Sequence, residues 1–74
     1  MKNNNLYISP MQARTIALDE ANVKNAEFNY QKISTTGDEK IYRLDFNTDY
    51  MDYCCYVDAK NGEVLGFDCC PSAA

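Results

Sequence analysis

Tyr53 to Phe67 reads YCCYVDAKNGEVLGF, and the fold is decided by this stretch. Two runs rich in aromatic and β-branched residues flank Asp58-Ala59-Lys60-Asn61-Gly62, where every position suits a turn. The Asp58 carboxylate can accept from amides of its own turn. Ala59 and Lys60 tolerate a right-handed helical backbone, and Asn61 and Gly62 accept a positive φ at little cost. The pattern predicts a β-hairpin, and the rest of the chain reads as its cover.

Upstream, Ile41 to Phe46 alternates with period two, so Tyr42, Leu44 and Phe46 share one face and Ile41, Arg43 and Asp45 the other. Asn47-Thr48-Asp49 is turn chemistry, after which Tyr50 to Val57 puts Met51, Tyr53, Cys55 and Val57 on one side. Earlier still, Glu27 to Ser34 carries Phe28 and Tyr30 in alternation and is broken by Thr35-Thr36-Gly37-Asp38. Downstream, Glu63 to Phe67 closes the hairpin as a fourth strand. Pro71-Ser72-Ala73-Ala74 reads as an exit from a domain, and Met1-Lys2-Asn3-Asn4-Asn5 as a solvated lead into one.

Before the strands comes one helix. Ser9, Pro10 and Gln12 stand at the N-cap, first and third positions of a capping box, in which side chain and backbone at the two ends exchange hydrogen bonds. Ala13, Ile16, Ala17 and Ala21 form a narrow stripe of mostly small residues that permits close approach to a sheet, while Arg14, Asp19 and Glu20 face water. Asn22 tolerates the left-handed backbone of a C-terminal stop, and Val23 turns the chain back onto the core. The helix is expected over Pro10 to Ala21. The fold class is therefore α+β, one N-terminal helix packed on one face of a four-stranded antiparallel sheet in the order α-β-β-β-β, with the second sheet face left open.

At 74 residues the chain has room for one small core, and a chain this short buries only about 60% of its unfolded surface, so staples matter. A net charge of -4, with seven scattered Lys and Arg, argues against nucleic acid and anionic lipid as partners, since both are bound by clustered cations. No run approaches the ~20 apolar residues of a membrane span, and the first residues lack the apolar segment of a signal peptide. Either the protein is cytosolic or it is a domain of a longer exported precursor, and four cysteines in so short a chain, which suit an oxidising compartment, favour the second.

Ile8-Ser9 with Gln12-Ala13, Ile16-Ala17-Leu18, Ala21-Asn22-Val23, then Tyr42-Arg43-Leu44-Asp45-Phe46, and finally Tyr56-Val57-Asp58-Ala59-Lys60-Asn61-Gly62-Glu63-Val64-Leu65 together resemble the PepSY domain family. The VDAKNGEVL hairpin is the most specific part. Asn22 stands where the family often has Gly, which preserves access to the left-handed backbone, and the two Cys pairs are outside the family pattern. The resemblance implies one PepSY-like domain over 1–74, with its core over about 7–67. It also implies a small extracytoplasmic module, secreted or anchored through other parts of a precursor and found in protease propeptides, with a proposed role in restraining peptidases. No catalytic motif comes with it.

The residue inventory agrees. Without His there is no His-based triad, dyad or His-rich metal site. Asp19-Glu20, Asp38-Glu39 and the spaced Asp49 and Asp52 read as a solvated helix face and turns rather than as paired catalytic carboxylates. Asp45-Asn47-Asp49 is the nearest approach to a calcium loop, and the same residues make an ordinary strand end and turn. Cys54-Cys55 and Cys69-Cys70 lack the two-residue gap of a zinc knuckle and the Cys-x-x-Cys helix start of redox catalysts, so structural disulfides are the better reading. No cofactor and no metal are expected.

Which cysteines meet depends on the hairpin register. A four-residue loop opposing Asp58 with Glu63 puts Cys54 with Cys69 on one face and Cys55 with Cys70 on the other, and turn chemistry favours it slightly. A three-residue loop with a bulge at Gly62 puts Cys54 with Cys70 and Cys55 with Cys69. Neither sets a Cys pair directly opposite, so good disulfide geometry needs a bulge near Gly66 or a bend after Phe67.

Six Tyr and three Phe exceed what one small core needs. In the favoured register Ile41, Tyr56, Leu65 and Phe67 fall on the face away from the helix and form a candidate interface. Two function classes follow. One is a monomeric, noncatalytic binding or inhibitory module for a peptidase or another envelope protein. The other is a structural or repeat unit of a larger exported protein.

Overall fold

The computed structural model describes residues 7–37 and 39–72. The expected lead Met1 to Asn5, Asp38 of the first turn, and Ala73 and Ala74 lie outside them. One helix, α1 (Pro10–Ala21), precedes four strands, β1 (Glu27–Thr36), β2 (Glu39–Asn47), β3 (Met51–Asp58) and β4 (Val64–Pro71). The strands form one antiparallel sheet in the order β1-β2-β3-β4. The α+β architecture is thus the one read from the sequence.

Local chemistry sets the helix ends. The Gln12 amide donates to the Ser9 hydroxyl at 3.2 Å, and the Ser9 amide donates to Gln12 Oε1 at 2.8 Å, closing the box. At the other end Asn22 takes φ 59° and ψ 44°, a left-handed stop, and its amide donates to the Asp19 carbonyl at 3.1 Å. Ala13 and Ala17 are fully buried. Their small side chains let the helix lie close against β2, β3 and β4. Arg14 does not face water as expected: its Nε donates to Gln31 Oε1 at 2.6 Å and its guanidinium lies over the Phe28 ring, tying the helix to β1.

The core comprises Ala13, Ala17, Tyr42, Leu44, Phe46, Cys55, Val57 and Ala59. Beside it a row of rings crosses all four strands, Phe28 on Phe46 at 4.9 Å, Phe46 on Tyr53 at 5.0 Å and Tyr53 against Phe67 at 5.9 Å between centroids. Each such contact contributes about 0.5–1.5 kcal/mol beyond its buried area. All three Phe are used here, so the aromatic surplus seen in the sequence is one of Tyr alone.

Two bulges correct the expected faces. In β1 the pairing passes from Phe28 opposite Phe46 to Tyr30 opposite Asp45, so the extra residue, Asn29, sends Phe28 to the helix side and Tyr30 to the open side. In β4 it passes from Val64 opposite Val57 to Gly66 opposite Tyr56, leaving Leu65 unpaired. The loop itself spans four residues, with the Asp58 amide donating to the Glu63 carbonyl at 2.8 Å. Parity beyond the bulge is nonetheless that of the other register. Phe67 stands opposite Cys55 on the helix face, packed against the core, and not on the open face. β4 also continues past Phe67, its expected end, through both cysteines to Pro71.

Ala59 combines a loop position with complete burial. Its amide donates to the Lys40 carbonyl at 2.9 Å, its carbonyl accepts from the Ile8 amide at 2.7 Å, and the Tyr42 hydroxyl donates to the Ile8 carbonyl at 3.0 Å. The segment entering the helix is thereby fastened to the hairpin loop.

Candidate functional site

Helix α1 covers one sheet face, and the other carries the residues that point away from it. Across the strands these include Tyr30 and Lys32 from β1, Ile41, Arg43 and Asp45 from β2, Asp52, Cys54 and Tyr56 from β3, and Gly66, Asp68 and Cys70 from β4. Arg43 is central. Its Nε and Nη2 each reach a different Asp45 carboxylate oxygen at 3.3 Å, and its guanidinium lies 5.4 Å from the Tyr30 ring and 5.9 Å from the Tyr56 ring. This is an exposed cation between two aromatic faces, with a carboxylate fixing its plane.

The candidate interface residues separate. Ile41 and Tyr56 are on this face, half-buried, and the Tyr56 ring lies beside Gly66, where an added Cβ would stand 3.5 Å from its Cδ1. Leu65, half exposed, is the bulged residue. Phe67 belongs to the core side, as described above. Tyr30 was missed because its face depends on the Asn29 bulge, for which the sequence has no local signature.

A depression of about 550 Å³ opens at one end of the face, between Arg43, Asp45, Asp52, Cys54, Asp68 and Cys70. Burial and then the Asp45 carboxylate push the Cys54 thiol above its ordinary range, and the Cys54 thiol in turn pushes the Tyr56 hydroxyl up. That is the reverse of nucleophile activation, which needs a stabilised thiolate. Cys55, fully buried on the other face, is pushed up to about 11 by burial first and by Glu20 second.

All four cysteines carry free thiols in this structure. Cys54 shares the open face with Cys70, and Cys55 shares the helix face with Cys69, because the Leu65 bulge inverts the parity that the loop length favours. Among the described residues no group of three or more Cys, Asp or Glu side chains is arranged to hold a metal ion. The nearest approach in sequence, Asp45-Asn47-Asp49, is committed elsewhere: Asn47 Oδ1 accepts from Asn29 at 2.7 Å and Asp45 pairs with Arg43.

The hairpin turn is built from side chains. Asp58 Oδ1 accepts from the Lys60 amide at 2.9 Å, Asn61 Oδ1 accepts from the Glu63 amide at 2.8 Å, and Gly62 takes φ 78°. Among the described residues no helix is long and apolar enough to cross a membrane.

Compared with known proteins, residues 7–68 match the family described as PepSY, peptidase propeptide and YPEB domain. No curated protein and no solved structure matches.

Proposed function

From the premise that this chain belongs to the PepSY family, whose domains are non-catalytic propeptide or regulatory modules, we propose that it is an extracytoplasmic binding module that restrains a peptidase or holds another envelope protein. Family membership points to a regulatory or binding role, and PepSY domains are typically extracytoplasmic. The open sheet face supports the finer reading. Tyr30, Arg43 and Tyr56 present two rings and a guanidinium from three neighbouring strands. Tyr and Arg are the residue types that dominate binding energy at protein interfaces. The partner would meet a rigid surface, since each of these side chains stands on a paired strand.

Secreted peptidases assayed on a peptide substrate with and without the purified chain test the reading. Slowed hydrolysis is expected, relieved by Tyr56→Ala and Arg43→Ala and retained by Met11→Ala, a change at an exposed position on the helix. Unslowed hydrolysis and no complex with any envelope protein would leave the structural or repeat unit as the better account.

A further inference from the structure

Two squares of side chains lie back to back where β3 pairs with the end of β4. On the open face the corners are Asp52, Cys54, Asp68 and Cys70, with Asp52 opposite Cys70 and Cys54 opposite Asp68. On the helix face they are Tyr53, Cys55, Phe67 and Cys69, with Tyr53 opposite Cys69 and Cys55 opposite Phe67. In each square the two cysteines face each other across a diagonal.

The two diagonals are not equivalent. A twisted sheet is saddle-shaped, so the diagonal direction that draws side chains together on one face splays them on the other. On the helix face the Tyr53 and Phe67 rings touch, with centroids 5.9 Å apart, and their contact crosses the line between Cys55 and Cys69. On the open face the converging diagonal runs in the opposite sense, and that is the line from Cys54 to Cys70. The competing diagonal there joins Asp52 and Asp68, two carboxylates that repel rather than close over it. Cys54 and Cys70 line one open depression, whose rim Cys69 also reaches, while Cys55 is buried outside it; Cys69 and Cys70 are both exposed, so the choice between the pairs rests on the diagonals.

We propose that Cys54 and Cys70 form a thiol–disulfide exchange site that staples β3 to β4 on the open face, while Cys55 and Cys69 remain thiols. The oxidant is a disulfide of low molecular weight. The exposed Cys70 thiolate attacks one of its sulfurs, forming a mixed disulfide and releasing one thiolate, which takes up the proton that Cys70 lost. At alkaline pH, needed because burial and Asp45 hold the Cys54 thiol above its ordinary range, the Cys54 thiolate then attacks the Cys70 sulfur, forming the Cys54–Cys70 bond and releasing the second half of the reagent, which takes up the Cys54 proton. Two protein thiols are oxidised and one disulfide is reduced to two thiols. Diagonal neighbours lie farther apart than bridged β-carbons, so the end of β4 must move inward. Among the described residues no strand pairs with its outer edge, which leaves it free to bend. The Ser72 hydroxyl, which donates to Asp52 at 3.1 Å, is the contact expected to yield.

The test is incubation of the folded, fully reduced chain with oxidised glutathione at alkaline pH, followed by denaturation, alkylation of the remaining thiols and fragmentation mass spectrometry. The expected product is a monomer lighter by two hydrogens before alkylation, with the alkyl groups on Cys55 and Cys69. Cys54→Ser is expected to stop at a glutathione adduct on Cys70. Alkyl groups on Cys54 and Cys70, bridges between chains, or four alkylated cysteines would each overturn the assignment.

Discussion

The Ile16 side chain ends at the hairpin turn: a Cβ added to Gly62 would stand 3.0 Å from its Cδ1. A methyl group there would require the end of the Ile16 side chain to give by a few tenths of an ångström. Gly62 also takes φ 78°, which an L side chain adopts at a cost of about 1–2 kcal/mol. Both effects fall on Gly62→Ala. At Gly37, φ is 61° but among the described residues nothing lies within 4 Å of the added Cβ, so only the backbone cost applies. Urea denaturation is expected to show Gly62→Ala less stable than Gly37→Ala, by up to about 1 kcal/mol, the low end of the cost of overpacking. Equal midpoints would mean that the helix does not bear on the turn.

Signals contained within a few residues were legible in the sequence. Ser9, Pro10, Gln12 and Asn22 bound the helix because capping is a matter of three or four neighbouring residues, and Asp58, Asn61 and Gly62 mark the hairpin for the same reason. The bulge at Asn29 was not legible, and the one at Leu65 was legible only as one of two alternatives, a bulge near Gly66 or a bend after Phe67, since an extra residue in one strand is decided by what packs across the pair. Each inverts the parity of everything beyond it. That single effect moved Phe67 off the open face, put Tyr30 onto it, and exchanged the partners of the four cysteines. Ala59 hid for another reason: its burial depends on Ile8 and Lys40, both remote in sequence.

Ala17 is fully buried where α1 meets the sheet, in a core that contains no charged residue among the described ones. Ala17→Asp is expected to cost several kcal/mol, through both overpacking and an unpaired carboxylate, enough to unfold a domain this small. Met11→Asp, at a position 68% exposed on the same helix, is the control and should shift the melting temperature little. Far-ultraviolet circular dichroism during heating reads both. A parent-like melt for Ala17→Asp would mean that the buried helix face is another one.

Cys55 makes stability depend on alkaline pH. Its thiol titrates near 9.0 when unperturbed and is pushed up to about 11 in the fold by burial first and by the Glu20 carboxylate second. Between those values the unfolded chain has lost the Cys55 proton while the folded chain still holds it. The folded state therefore binds more protons, and stability falls as pH rises. The contribution is complete below pH 9.0, and it declines through the window up to about 11. Other groups titrate in the same range, so the informative quantity is the difference between the parent and Cys55→Ala, in which this thiol is gone. Melting temperatures measured under reducing conditions across that window are expected to fall more steeply for the parent. Glu20→Gln, which removes the second cause and leaves burial in place, should give an intermediate slope, and parallel curves for all three would show that the Cys55 thiol ionises as freely in the fold as outside it.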